Sequence, residues 1–407
     1  HYPLRRQRQM CIRDRSKAHI IEDGDEEALI KALEPIPLRV DISGVNGEKA
    51  QEVWYHLRQD GDQQILFLAN TSTEKGFQTT VKLQGAGRVE EWNPFNGKVS
   101  LVPSRSEDGY AVFNLDFPPV GSHLIVLDPK KKAVTPKAVQ AKKVVEVPLG
   151  DEWSYKRLDL NALTLDHGRM KLEDGEYGEL LPIWKVQRTL TRTGVGLNFS
   201  LQYEFESHLA SAGDRQIYLV LESPEKYAIK VNGQGVKYED MGYWVDATFK
   251  KLSIGKLVKR GRNTIEIAGE TDLETEIESC YIVGDFGVAN REDRKFALIE
   301  EPKNLKSGNL VHQGYPFFAG TVSLTQEVEV PKPKGRAVLE IEGLNTVVAT
   351  VLVNGKEAGH IFMRPHEIEI TNLLKAGKNA IEIQLTNSLR NLLGPHHHRA
   401  GEPISVG

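Results

Sequence analysis

His396, His397 and His398 stand side by side in LLGPHHHRAG, and a neutral imidazole is a good ligand for zinc or nickel. Successive side chains of an extended segment point to opposite faces, so three in a row cannot close one tetrahedral site without outside ligands. With Arg390 and Asn391 just upstream, they read better as a polar loop packed on a neighbouring module or at the rim of a domain outside this sequence. Acidic residues cluster at 23–27, 173–179 and 274–278. Glycoside hydrolysis needs two carboxyl groups about 5 Å or about 6.5–9.5 Å apart. The first cluster precedes a helix, where negative charge complements the helix dipole. The others lie in Gly-rich or polar stretches, where solvated loop charge is the expectation. No catalytic residue is therefore assigned. Aromatics could stack under the apolar face of a sugar. Trp92, after an acidic pair and before Asn93-Pro94, and Tyr243 with Trp244, just ahead of a strand, are the loop-proximal candidates. With Arg390, Asn391 and His396 they make up the candidate carbohydrate-binding set, against the competing reading that tryptophans pack in cores. Trp153, Trp184, Phe317 and Phe318 are the other conspicuous aromatics. Phosphate-binding glycine loops, Gly-x-Ser-x-Gly elbows, His-Glu-x-x-His and Cys-x-x-Cys pairs do not occur.

The elements that must position these residues follow from length and periodicity. A chain of 407 residues exceeds one ordinary core and predicts about three domains. Its 52 basic and 56 acidic residues leave a net charge of -4, which gives no global attraction to nucleic acid or an anionic membrane. No apolar run approaches the roughly 20 residues of a spanning helix. Two cysteines, Cys11 and Cys280, make no disulfide framework.

Residues 1–15 are basic, lack periodicity and include MCIRDR, which resembles a translated sequencing-adaptor read-through. They are expected to be an assembly junction without structure. Residues 16–40 hold one short helix, EEALIKAL, stopped by Pro35 and Pro37. A lone helix cannot bury its apolar face, so this segment is expected to be the tail of an upstream domain. Over 41–129, six alternating runs bounded by Gly, Asn, Asp, Ser or Pro predict a β-sandwich. Asp60-Gly61 and Asn96-Gly97 are its hairpin turns. Residues 130–145, rich in Lys and Pro, read as a solvated linker.

Downstream an internal repeat emerges. The stretch YAIKVNGQGV, then FKKLSIGKLVKRGRNTIEIAG, is echoed by ATVLVNGKEAG, then HEIEITNLLKAGKNAIEIQL. Each copy runs strand, Asn-Gly hairpin (Asn232-Gly233 or Asn354-Gly355), helical turn, Gly, then Asn263 or Asn379 opening a strand. The fold class predicted is all-β, with tandem sandwiches at 146–298 and 299–407. Nothing in the second copy matches ESCYIVGDFGV, so that module is expected to be truncated.

This order of elements resembles the galactose-binding-like jelly rolls attached to large glycoside hydrolases. YHLRQDGDQQILFLANTS, EEWNPFNGKV, GYPFFAGTVSLTQEVEV and NSLRNLLGPHHH further resemble the C-terminal half of α-L-rhamnosidase-like glycoside hydrolases of family 106. The resemblance implies a non-catalytic accessory region of a secreted or periplasmic polysaccharide-degrading hydrolase. Its partners would be the missing N-terminal catalytic domain and an oligosaccharide. No cofactor is expected; such sandwiches would admit a structural Ca²⁺, although no EF-hand loop is readable. A true carbohydrate-binding module and a purely structural or cell-surface interaction module are the alternatives. An exposed coplanar aromatic pair would favour the first, a large apolar patch a missing partner domain.

Overall fold

Antiparallel strands dominate this computed structural model, which describes residues 25–33, 35–135, 144–292, 295–331 and 333–395. The basic start, half of the Lys/Pro linker and His396 to Gly407 lie outside the described residues. The chain divides into two compact units, His1–Val144 with Met363–Pro365, and Val145–Phe362 with His366–Gly407. The all-β, multi-sandwich class is as expected.

In the first unit a four-stranded sheet runs Val40–Gly44, Phe77–Gln84, Tyr110–Phe117, Ser104–Glu107. A five-stranded sheet runs Val53–Asp60, Gln63–Asn70, Ser122–Asp128, Arg88–Trp92, Val99–Val102. Alternation turns Val81, Leu83, Phe113 and Leu115 of one sheet onto Leu66, Leu68, Ile125 and Leu127 of the other, forming the core. Gly61 and Gly97 take φ of 56° and 69°, the left-handed geometry for which the turn dipeptides were read. Three strands escape the sequence pattern: Val40–Gly44, Val99–Val102 and Ser104–Glu107. They are short, and Pro103 separates the last two, so none offers a full alternating run. Ahead of them, helix Glu26–Leu33 is capped by Asp25, whose Oδ1 accepts from Ala28 N at 2.9 Å. None of its residues is buried, and Leu29, Ile30 and Leu33 stay exposed.

The second unit holds two further cores. The first lies between the five-stranded sheet Asn161–Leu165, Cys280–Gly284, Ile217–Glu222, Asp246–Ser253, Tyr243–Trp244 and an eight-stranded sheet centred on Asn198–Ser207 and Gly261–Glu270. The last sandwich has a six-stranded sheet, Leu305–Lys306, Glu152–Arg157, Thr321–Val330, Gly377–Thr386, Val348–Val353, Lys356–Ile361. Opposite it stand two strands, Val338–Glu340 and Glu367–Glu369.

The repeat has a physical basis. Asn232 and Asn354 sit at φ of 51° and 54° at the start of their hairpin turns, each followed by a left-handed glycine. Asn232 Nδ2 donates to Leu257 O and Asn263 Oδ1, both at 2.8 Å. Asn354 Nδ2 donates to Leu373 O at 3.0 Å and Asn379 Oδ1 at 2.9 Å. The buried Asn263 and Asn379 in turn close the Gly-containing loop, accepting from Lys259 N or Lys375 N and donating to the carbonyls of Lys259 and Gly261 or Lys375 and Gly377. An asparagine offers a donor pair and an acceptor on one short side chain, which this clasp requires.

The expected boundary at residue 298 is crossed by the chain. Glu152–Arg157 pairs with Leu305–Lys306 and Thr321–Val330, and so belongs to the last sandwich, with Trp153 in its core. Conversely Phe317, Ala319 and Leu392 pack into the middle core. A short alternating strand carries no mark of which sheet it will join, so proximity in sequence assigned Glu152–Arg157 wrongly. The seam is pinned by Arg157, with only 9% of its side chain exposed. It donates through Nε and Nη2 to Glu301 at 2.5 and 3.2 Å and through Nη2 to Asp285 at 3.1 Å. Tyr315 Oη donates to Glu301 at 2.9 Å and lies 2.8 Å from Tyr155 Oη. Burial pushes the Glu301 carboxyl up, but the hydrogen bond and charge of Arg157, with Tyr315, outweigh it and hold the group below the ordinary range.

A candidate docking face on the first sandwich

An antiparallel sheet with one face on a core turns polar residues outward on the other. The four-stranded sheet of the first sandwich obeys this, with Asp41, Lys82, Thr80, Gln78, Asn114 and Asp116 on its outer face by register and the covered Val112 among them. The five-stranded sheet does not. Across its outer face the register sets one row of Arg58, Ile65, Val126, Glu90 and Leu101. A second row holds His56, Phe67, Leu124, Trp92 and Val99, and Trp54 stands two residues before His56 on the edge strand.

Beyond the exposed His56 and Arg58 of the edge strand, these side chains form a largely apolar surface rather than scattered exposed residues. Trp54, Phe67 and Leu101 are 68%, 44% and 53% exposed, and Val126 at its centre is already fully covered. The polar groups in the centre are turned inward onto one another. Glu90, almost buried, accepts from Trp92 Nε1 at 3.2 Å and from Lys131 Nζ at 3.2 Å. This lays the Trp92 indole over the sheet and uses the hydrogen-bonding capacity of both groups. A polar row, Asp60, Gln63, Asp128 and Arg88, lies at one end, with Gln63 bound to Asp128 at 3.0 Å. Such a surface of Val, Leu, Ile and Phe between aromatics suits another protein surface, since aliphatic groups give a sugar's hydroxyls nothing to bond.

The sequence-derived candidates do not gather elsewhere. Trp92 belongs to the face just described. Tyr243 is exposed, but Trp244 is buried and packs on Tyr281 with ring centroids 5.4 Å apart. Neighbouring residues of one strand point to opposite faces, so these two rings do not make an exposed coplanar pair. Tyr243 and Trp244 lie on one edge of the middle five-stranded sheet. Asn391, half-buried, and Arg390, exposed, lie on the short turn Leu389–Leu393 at the opposite edge, where Thr164 Oγ1 donates to Leu392 O at 2.5 Å. His396 falls outside the described residues. Trp184 is exposed on helix Ile183–Thr193, whereas Trp153, Phe317 and Phe318 are buried.

The acidic clusters serve turns. Glu173 accepts from Asn198 N and Nδ2, and Asp272 accepts from Glu274 N and Thr275 Oγ1. Glu276 and Glu278 border, with Glu222, a cavity of about 20 Å³ floored by Tyr203 and Cys280, room for a water molecule and no sugar. Burial raises the Glu278 carboxyl, assisted by the charges of Glu222 and Glu276. Among the described residues no group of three His, Cys, Asp or Glu side chains is placed to hold a metal, and no helix is long and apolar enough to cross a membrane. The sequence reading missed the docking face because its residues come from five strands, each unremarkable alone.

No known protein-family profile matches this chain. A curated protein of Formosa agariphila, named "Putative beta-glucuronidase", is 36% identical over 93 residues, which is 22% of this chain and 8% of that protein. Among solved structures, a rhamnosidase from Novosphingobium sp. PP1Y is similar over 92% of this chain and 23% of its own, at 14% identity and a TM-score of 0.45. The α-L-rhamnosidase of Streptomyces avermitilis, solved with L-rhamnose, is similar over 85% of this chain and 36% of its own, at 13% identity and a TM-score of 0.26. The chain thus spans less than a tenth of the curated relative it matches and about a quarter of the first of these rhamnosidases.

Proposed function

We propose that this chain is a non-catalytic accessory region of a larger glycoside hydrolase, of the α-L-rhamnosidase kind, acting on polysaccharide outside the cytoplasm. Its first sandwich is the docking element, and the occupant of the face is the catalytic domain of the same polypeptide. The observation that carries this reading is the contrast between the two outer faces of one sandwich. A polar face is what water selects, whereas an outer face with Phe67, Leu124, Leu101 and Val99 on it is what a permanent neighbour selects. The exposed Leu29, Ile30 and Leu33 of the leading helix support the same reading, since they too lack a core. The two later sandwiches, read as galactose-binding-like jelly rolls, are spacers and braces on this view.

The test is co-expression of this chain with the catalytic portion of its gene. Phe67→Lys with Leu101→Lys should abolish co-purification, and Lys82→Glu with Asn114→Ala on the polar face should leave it intact. Co-purification indifferent to the first pair sinks the docking assignment. Hydrolysis of an aryl α-L-rhamnoside by this chain alone sinks the non-catalytic one.

A further inference from the structure

Helix Ile183–Thr193, IWKVQRTLTRT, turns toward solvent a face that the accessory role leaves unused. Its buried residues, Ile183, Val186 and Leu190, fall on the side that packs into the middle core. On the opposite side Trp184, Arg188 and Arg192 follow at i, i+4 and i+8, with Lys185 beside them, and all four are exposed. Trp184 is 61% exposed, with Lys185 Nζ 5.4 Å from its ring centroid. The helix has no Asp or Glu, and no acidic residue stands three or four positions from Lys185, Arg188 or Arg192. Like charges at those spacings weaken an isolated helix. The hydroxyls of Thr189, Thr191 and Thr193 donate back to Lys185 O, Gln187 O and Thr189 O, at 3.0, 3.0 and 2.7 Å. The face therefore offers outward a flat aromatic ring and a row of charged donors. The acidic loop beside the helix meets it on another flank, where Gln187 Nε2 donates to Thr275 O at 3.1 Å and Gln187 Oε1 accepts from Ile277 N at 2.7 Å. In that loop Asp272 and Glu274 face Lys226 at 3.9 and 3.4 Å.

We infer that the outward face of this helix is a binding site for an anionic polysaccharide, one bearing carboxylate or sulfate groups and lying along the helix. Trp184 stacks under the apolar face of one sugar ring. Arg188 and Arg192 take successive acidic groups, which the guanidinium fork matches with paired N–H donors. Lys185 adds a third positive charge at the flank. Residues four apart on a helix are separated by about 6 Å along its axis, a step comparable to one ring of an extended sugar chain. A bound polyanion also relieves the repulsion within the cationic row. This goes beyond the spacer role given above to the middle sandwich. The choice of a sugar among polyanions rests in part on the polysaccharide reading above, whereas the cationic row and its aromatic do not.

Calorimetry on the full chain at low ionic strength, where such contacts are least screened, is the test. Polygalacturonate and dextran sulfate are the probes, with neutral dextran and duplex DNA beside them. Arg188→Ala with Arg192→Ala removes the row, and Trp184→Ala removes the platform; all three side chains are exposed, so melting temperatures should hold. Co-purification with the catalytic portion reads the docking assignment separately, so either can fail without the other. Binding of at least one anionic polysaccharide, weakened about tenfold or more by the arginine pair and about threefold or more by Trp184→Ala, with dextran unbound, supports the inference. Neither polysaccharide bound, or binding that the arginine pair leaves unchanged, overturns it. Duplex DNA bound as tightly as the polysaccharides, with Trp184→Ala without effect, reveals an unselective ionic patch and overturns it as well.

Discussion

Replacing Asn379 with alanine tests whether the repeated asparagine clasp holds the last sandwich together. Asn379 is 1% exposed. Its Oδ1 accepts from Asn354 Nδ2 at 2.9 Å and Lys375 N at 3.0 Å, and its Nδ2 donates to Lys375 O and Gly377 O, both at 2.9 Å. Alanine strands two donors and two acceptors. A buried polar group left without a partner costs about 1–3 kcal/mol, and water will reach some of the loop groups, so the expected loss is about 3–5 kcal/mol, near the top of what single substitutions do. Aspartate is the sharper variant. It keeps the shape and both acceptor sites but cannot donate, and it faces two carbonyls with a carboxylate, so its loss at neutral pH should match or exceed that of alanine. The loss should also be local. Trp153 lies in the last core and Trp244 in the middle core, so urea unfolding followed in single-tryptophan backgrounds reports each separately. Asn379→Ala should move the Trp153 transition, and Asn263→Ala the Trp244 transition. A loss below about 1 kcal/mol for Asn379→Ala, or a tolerated Asn379→Asp, would refute the reasoning.

Two further outcomes follow from the seam and from the buried thiol. Glu301 is held below its ordinary range by Arg157, so its contribution is present above the unfolded value of about 4.3 and lost as pH falls through the lower folded value. In Arg157→Met burial, the largest influence on Glu301, is opposed by the smaller effects of the Tyr315 hydrogen bond and the Arg215 charge, so the shift should reverse and the seam become more stable on acidification; melting temperatures across that range should show opposite slopes for the two proteins. Burial pushes the Cys280 thiol up to about 12, a rise the neighbouring Tyr203 hydroxyl only partly opposes. In a Cys11→Ser background it should therefore resist a thiol reagent at mildly alkaline pH until urea unfolds the middle sandwich, and prompt reaction in the native protein would contradict the burial.

Much of the fold was readable from local signals because those signals are physical. Alternation over Leu197 to Phe205 and in QQILFLAN fixes which side chains face a core. Asn-Gly and Asp-Gly fix hairpins through left-handed backbone, and the duplicated asparagines betray the clasp. The site was less readable. Trp244 looked like a loop aromatic because a two-residue strand, Tyr243–Trp244, gives no periodicity to show which way each ring turns. Trp92 was singled out as a loop-proximal aromatic, but apart from Glu90, two residues before it, the groups around it on the sheet, Lys131, Phe67 and Val99, come from other parts of the chain.

The sequence by itself determined that this protein is all-β, modular and internally repeated, because strand period and turn chemistry act between residues a few positions apart. Only the tertiary structure decided which sheet Glu152–Arg157 joins, which face of the first sandwich stays apolar toward the outside, and which residues of the two later modules share a core. Each of those depends on strands distant in sequence meeting in register, and the free energy that selects the arrangement belongs to the assembled surface rather than to any segment of it.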